Sequence, residues 1–162
     1  MFCNWLTEIV YGADEVVYTG ITTAWSADAT VADYTKRGYR LPTANEWECA
    51  ARWVGTSAGG RTDLVARGGY FWTPNNYVSG ASDDTNSEAI KYAWFNNNAA
   101  QNCNGLLSNQ LGIYDMSGNS SEWCFNRTGE ELRMLRGGNY SATTYSDLSI
   151  YIQSEGPAGT SI

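Results

Sequence analysis

From Gly55 to Asn109 the chain is dominated by Gly, Asn, Ser and Asp, with aromatic residues set among them in runs such as GGYFWTPNNY and YAWFNNN. No period of two or of 3.6 residues persists through it, so neither a long strand nor a long helix accounts for it. Structureless loops of that length are uncommon inside a compact domain unless side-chain networks, bound ions or function order them. The region therefore reads as an ordered loop layer pinned by its aromatic rings, and regular elements have to lie before and after it.

Before it, Phe2, Trp5, Leu6, Ile9 and Val10 have helical spacing, which predicts a helix over Met1 to Val10 with those residues as a buried stripe. Residues Glu15 to Thr19 read as a strand, followed by an irregular excursion up to Arg37. In RLPTANEWECAARW, Thr43 can cap a helix while Glu46 returns the bond to the cap's own N–H. A second helix is expected from Ala44 to Trp53, burying Trp47, Ala50 and Ala51. After the loop layer, strand-length segments fall at Leu111 to Asp115, Ser121 to Phe125, Leu132 to Gly137 and Leu148 to Ile152. Two early helices followed by short strands, with no strand–helix alternation and no repeat, point to an α+β domain with a small, mostly antiparallel sheet.

With 162 residues, the chain is read as one domain over positions 1–162 that buries roughly two-thirds of its unfolded surface. A net charge of −7, no His and no Lys/Arg cluster leave no electrostatic footprint for nucleic acid or an anionic membrane. No apolar run reaches membrane-span length, and MFCNWLTEIVYGADE lacks the basic start and small-residue cleavage site of a signal peptide. Display on a virion or cell surface would have to come from a larger context. Cys3, Cys49, Cys103 and Cys124 show no C-x-x-C spacing, and Cys49 and Cys124 are expected to be free, partly buried thiols. The pairs Asp83-Asp84 and Glu130-Glu131 sit in polar surroundings and read as solvated charge, not an acid/base dyad.

Three blocks occur in a fixed order: GYRLPTANEWECAARW (Gly38 to Trp53), LGIYDMSGNSSEWC (Leu111 to Cys124) and RMLRGGNY (Arg133 to Tyr140), preceded by FCNWL. Together they resemble the formylglycine-generating-enzyme subtype of the C-type lectin fold across nearly the whole chain. The resemblance implies that fold, with two helices, a small antiparallel sheet and extensive loops, and it leaves function to be argued from the site. Enzymes of that type carry a copper-binding cysteine pair just beyond the Gly-Gly block. Here NYSATTYSD places Ala142 and Asp147 about where those cysteines would fall, and no Cys follows Cys124. Without thiolates the stretch has no soft copper ligand and no redox nucleophile, so a non-enzymatic reading is favoured over an oxidase.

The resemblance also implies a structural calcium, with Asp115 and Glu122 giving side-chain oxygens and Gly118 and Ser120 giving carbonyls, a hard-cation shell. A carboxylate that merely caps the Gly118 turn is an equal alternative, and no other cofactor is implied. The acid-and-amide-flanked Pro of calcium-dependent sugar lectins is absent; Pro157 in EGPAG does not match it. Ile162 closes the chain without the Gly-Phe-Arg strand common in the family, and FCNWL usually lies some way into the domain, so a minimal version or a fragment is expected.

The segment after Gly138, about residues 139–156, is rich in Ser, Thr and Tyr, the residues that binding loops prefer. Through Ile162, every residue from Asn139 onward except Gln153 and Glu155 can be written with a pyrimidine-ending codon, as when the adenines of Asn codons are randomised. The pattern resembles the variable region of a diversity-generating retroelement target. It assigns ligand binding to Asn139, Ser141, Thr143, Thr144, Tyr145, Asp147, Ser149, Tyr151 and Gln153. Leu148, Ile150 and Ile152 are expected to form the underside, and Tyr70, Trp72 and Tyr77 are candidates for a rim, with the tryptophan better suited to the core. The partner implied is a protein or other macromolecular ligand on a cell or host surface. A purely structural domain of a phage or surface assembly is the remaining alternative.

Overall fold

A computed structural model of the chain describes residues 2–21, 30–128 and 132–157. Helix α1 spans Phe2–Tyr11, but its inner side is not the expected apolar stripe. Phe2, Trp5, Ile9 and Val10 are exposed, whereas Thr7 is fully buried. The docking is polar: Thr7 Oγ1 donates to Cys3 O (2.8 Å) and accepts from Tyr39 N (2.8 Å), and Asn4 Nδ2 donates to Tyr18 O (2.7 Å). Those bonds orient the helix and leave its apolar side outward. Gly12 then turns the chain into a 3-10 helix, Ala13–Glu15, so the expected strand shrinks to β1 (Tyr18–Thr19), which pairs antiparallel with β2 (Val31–Ala32).

Helix α2 spans Ala44–Arg52 and starts as expected. Glu46 N donates to Thr43 Oγ1 (3.2 Å), and Thr43 N donates back to Glu46 Oε2 (2.8 Å). Arg40 grips the same carboxylate with two bonds of 2.7 Å, holding the Glu46 carboxyl down at about 2. Trp47 and Ala51 are buried, but Cys49 lies on the opposite, exposed side of the helix; of the two thiols expected in the interior only Cys124 is there.

The loop layer is ordered by short elements. Strands β3 (Trp53–Gly55), β4 (Val65–Arg67) and β5 (Tyr70–Trp72) form an antiparallel sheet in the order β3-β5-β4, and Asn86–Ala89 makes a one-turn helix, α3. Trp53, Tyr70 and Trp72 interlock, with Trp53 4.9 Å from Tyr70 and 5.3 Å from Trp72 between ring centres. Leu111 to Asp115 is not a strand. Buried Asn109 replaces strand pairing there: its Oδ1 accepts from Leu111 N (3.0 Å) and Ile113 N (3.1 Å), and its amide reaches Ala50 O (3.2 Å).

The third sheet flanks the candidate segment. Strands β6 (Glu122–Arg127), β7 (Leu132–Arg136) and β8 (Gln153–Pro157) pair antiparallel in that order, with Arg136 opposite Gln153 and Leu132 opposite Pro157. The expected strand over Leu148 to Ile152 is absent: Tyr145–Leu148 is a 3-10 helix, and the strand begins only at Gln153. Leu148 and Ile150 are fully buried as expected, but Ile152 is 40% exposed and does not belong to the underside. The two buried residues enter different cores. Ile150 joins Ala44, Trp47, Ala51, Met116 and Cys124, whereas Leu148 joins Val78, Ala81, Ala89 and Ala93.

Candidate ligand-binding face

Gly137 and Gly138 turn the chain out of β7 with φ of 87° and 67°, a region costly for residues with a side chain. Space forbids a side chain as well: a Cβ on Gly137 would stand 2.7 Å from Met116 O, and one on Gly138 2.7 Å from Leu148 Cδ2. Beyond this turn, main-chain bonds lay the segment against the loop layer. Tyr140 N donates to Asn119 O (2.9 Å), Asn96 N to Ala142 O (2.8 Å), Asn97 N to Tyr140 O (2.9 Å) and Ile150 N to Tyr77 O (3.1 Å). From below, Arg136, 4% exposed, donates to Ile150 O (3.1 Å) and Tyr151 O (3.3 Å) while pairing with Glu48 (2.5 Å).

None of the nine assigned side chains is buried. Ser141, Thr143, Thr144, Asp147, Tyr151 and Gln153 are exposed, and Asn139, Tyr145 and Ser149 are half-buried. They are not equivalent. Asn139 Oδ1 accepts from Ser141 N (3.0 Å) and Oγ (2.7 Å), and Asp147 Oδ2 accepts from Thr144 N (3.3 Å) and Oγ1 (2.9 Å). These four side chains staple two turns. Tyr145 packs on the Leu148 core and its hydroxyl donates to Asp84 O (3.3 Å). Thr143, Ser149, Tyr151 and Gln153 carry no such staple. Exposed Ser146 and Ile152 share the segment, and Ile152 faces outward because the chain there is not the alternating strand expected. Of the three rim candidates, Tyr77 packs beneath Leu148, while Tyr70 and Trp72 belong to the separate aromatic cluster with Trp53.

The acidic candidates lie just behind the turn. Asp115 is half-buried at φ 58°, and Asn119 Nδ2 donates to its Oδ2 (3.3 Å). Glu122 accepts from Trp47 Nε1. Burial pushes the Glu122 carboxyl up, against the pull of that indole bond, and the charge of Asp115 pushes the same way. The Cys103 thiol donates to Asp115 and is raised chiefly by that bond. Gly118 is buried and Ser120 exposed. Among the described residues no three acidic, Cys or His side chains converge as a metal site, so a cation here would depend on the Gly118 and Ser120 carbonyls. Asp115 and Glu122 are both half-buried and the charge of the first raises the second; carboxylates with backbone oxygens are the donor type a hard cation takes.

Asn119 was not singled out in the sequence. Buried at φ 57°, it accepts from Gln101 N (2.8 Å), donates to Gln101 O (3.1 Å) and presents its carbonyl to Tyr140. The available signal was the Gly-Asn pair in SGNS, since Asn tolerates the left-handed region better than other side chains.

A capped helix beneath a three-stranded antiparallel sheet, an aromatic-pinned loop layer and a double-glycine turn into an exposed segment define a C-type lectin-type domain of the formylglycine-generating-enzyme subtype. The sulfatase-modifying factor enzyme 1-like domain model matches residues 1–160, and the chain belongs to that family. Its fold is similar to Treponema denticola variable protein 1 (TM-score 0.65, 24% identity, 98% of this chain and 62% of that one). It is also similar to the crystal structure of CarF (TM-score 0.55, 24% identity, 82% and 46%). A curated relative, the chaperone protein LppX of Paenibacillus barcinonensis, is 38% identical over 94 residues, 54% of this chain and 31% of that protein. The chain thus spans less than two-thirds of each of these proteins. No described helix is long and apolar enough to cross a membrane.

Proposed function

We propose that this is a non-catalytic recognition domain whose segment of about residues 139–156 binds a macromolecular ligand, protein or otherwise, on a cell or host surface, and is diversified by a retroelement. The observation that carries the reading is the division within the segment. All nine assigned positions leave their side chains at least partly accessible, while Leu148 and Ile150 are fully buried in two cores. Substitution at Thr143, Ser149, Tyr151 and Gln153, which neither staple a turn nor join a core, changes the surface without disturbing the packing. Tyr and Ser there offer large rigid contact and adaptable hydrogen bonds. Multivalent display would raise an affinity that is modest at each site.

Catalysis of the formylglycine-generating kind finds little support in the thiols. None lies in the segment after Gly138, and burial pushes the buried Cys124 up to about 11, leaving it protonated and poorly nucleophilic at neutral pH. Turnover of a cysteine-containing peptide in the presence of copper would contradict this reading. Calcium, when bound, would be held by Asp115, Glu122 and the Gly118 and Ser120 carbonyls, and it would fix the loop whose Asn119 carbonyl receives Tyr140 N.

The direct test is a displayed library randomised at Thr143, Ser149, Tyr151 and Gln153, selected against surface proteins, beside a library randomised at exposed positions of α1. Binders should emerge from the first; enrichment from both alike would refute a dedicated face. Sibling genes should differ mainly after Gly138, and differences spread evenly along the chain would refute diversification.

A further inference from the structure

Beside the face lies a cleft of about 340 Å3 that no residue after Gly138 helps to form. It is lined by Asn86, Ile90, Ala93, Trp94, Phe95, Asn96 and Asn97, none of them a charged residue. Asn96 and Asn97 are also the residues whose main-chain N–H groups hold Ala142 and Tyr140. The cleft and the variable segment therefore share one backbone ledge.

We propose that this cleft is a fixed anchor subsite that takes one aromatic side chain of a polypeptide ligand, with the variable residues setting specificity around it. The inference rests on the recognition reading above and names the ligand's chemistry. The volume is at the low end of ligand sites and suits a single side chain better than an extended molecule. The presence of Trp94 and Phe95 in the lining favours an aromatic guest, which can meet them in edge or offset contacts. Absence of charge in the lining disfavours phosphate, sulfate or sialic acid, whose buried charge would go unpaired. Asn97 Nδ2 already donates to Phe95 O (3.0 Å), which leaves its Oδ1 free to accept a peptide N–H beside the anchor. An aromatic anchor in a pocket with a polar rim is the arrangement that concentrates binding energy in protein interfaces. Because all its residues precede Gly138, the cleft persists while the neighbouring segment changes.

The probe is N-acetyl-phenylalaninamide, titrated into the 15N-labelled full chain and followed by amide shifts, with methyl α-glucopyranoside as the control. Saturable shifts are expected at Ile90, Phe95 and Asn97. Ile90 is 51% exposed, so Ile90→Asp should fold and weaken the probe at least tenfold. Val65→Ala, at an exposed position of β4 outside the lining, should leave it unchanged. Three results would overturn the proposal: no saturable shift up to roughly 50 mM, beyond the range expected of a single side-chain fragment; an equal response to the sugar; or a folded Ile90→Asp protein that binds as before. If the cleft binds the probe while libraries after Gly138 yield no ligands, the recognition reading fails and the cleft stands. If those libraries yield ligands while the cleft stays silent, the anchor subsite fails and the recognition reading stands.

Discussion

Leu148→Ala should unfold this domain far more readily than any change at the accessible positions beside it. Leu148 has no exposed surface, and its neighbours in the core are Val78, Ala81, Ala89 and Ala93, with the Gly138 backbone close by. These buried neighbours are short side chains with little reach to close a cavity, while Tyr77, Phe95 and Tyr145 pack on the same core from partly exposed positions and close part of one. Leucine-to-alanine changes in cores cost about 2–5 kcal/mol, and the poorly collapsing sites lie towards the upper end. We expect about 3–4 kcal/mol, which in a domain of this size lowers Tm by roughly 6–16 °C. Thr143→Ala and Ser149→Ala, at accessible positions of the same segment, should stay within about 0.5 kcal/mol. Urea unfolding followed by tryptophan fluorescence reads the difference as a shift of midpoint at constant slope. A loss below about 1 kcal/mol for Leu148→Ala, or an equal loss for Thr143→Ala, would refute the division of the segment into buried pins and free positions.

Arg136→Met should cost about 1–3 kcal/mol in the same assay, because the Ile150 and Tyr151 carbonyls lose their donor, while Glu48, partly exposed, keeps its pair with Arg52 (2.8 Å). The Glu46 carboxyl is held below its unfolded value by Arg40, so its contribution is full above about pH 4.5 and is lost as pH falls towards about 2. Glu46→Gln should therefore be less stable than the parent by at most about 1 kcal/mol at neutral pH, the exposed side chain limiting the effect, and equal to it near pH 2. Because the Glu122 carboxyl is raised by burial and must be ionised to hold a cation, calorimetric calcium affinity should fall as pH drops through and just above the ordinary carboxylate range, and Asp115→Ala should abolish it. A pH-independent affinity would place the cation elsewhere.

The start of helix α2 was legible to the residue because its capping box is a local exchange of hydrogen bonds between Thr43 and Glu46, independent of anything distant. Strands β6 and β7 were legible for a similar reason, since Trp-, Cys- and Leu-rich runs bounded by Gly and Ser admit few other readings. The α1 face was misread because periodicity reports that a stripe exists and not which side docks; Thr7 and Asn4 decided that through partners in residues 18 and 39. Leu111 to Asp115 failed as a strand because one buried side-chain amide, Asn109, satisfied backbone donors that a sheet would otherwise pair. In the candidate site, the accessible positions could be read from composition. The staples, the Asn119 clamp and the cleft could not, because each depends on residues that are distant in sequence or on a turn of specific backbone geometry.

The bonds that tie the segment to the ledge and to Tyr77 are made by peptide groups, at Tyr140, Ala142 and Ile150, and are indifferent to the side chain attached. The scaffold therefore recognises the path of the segment and not its spelling, and the substitution it resists there is proline, which lacks the N–H required at positions 140, 142, 150 and 152. An engineered repertoire on this domain should thus lose few members to misfolding when Thr143, Ser149, Tyr151 and Gln153 are varied freely. Its non-functional fraction should be concentrated in clones that place proline at Ser149, whose N–H also donates, to Ser146 O.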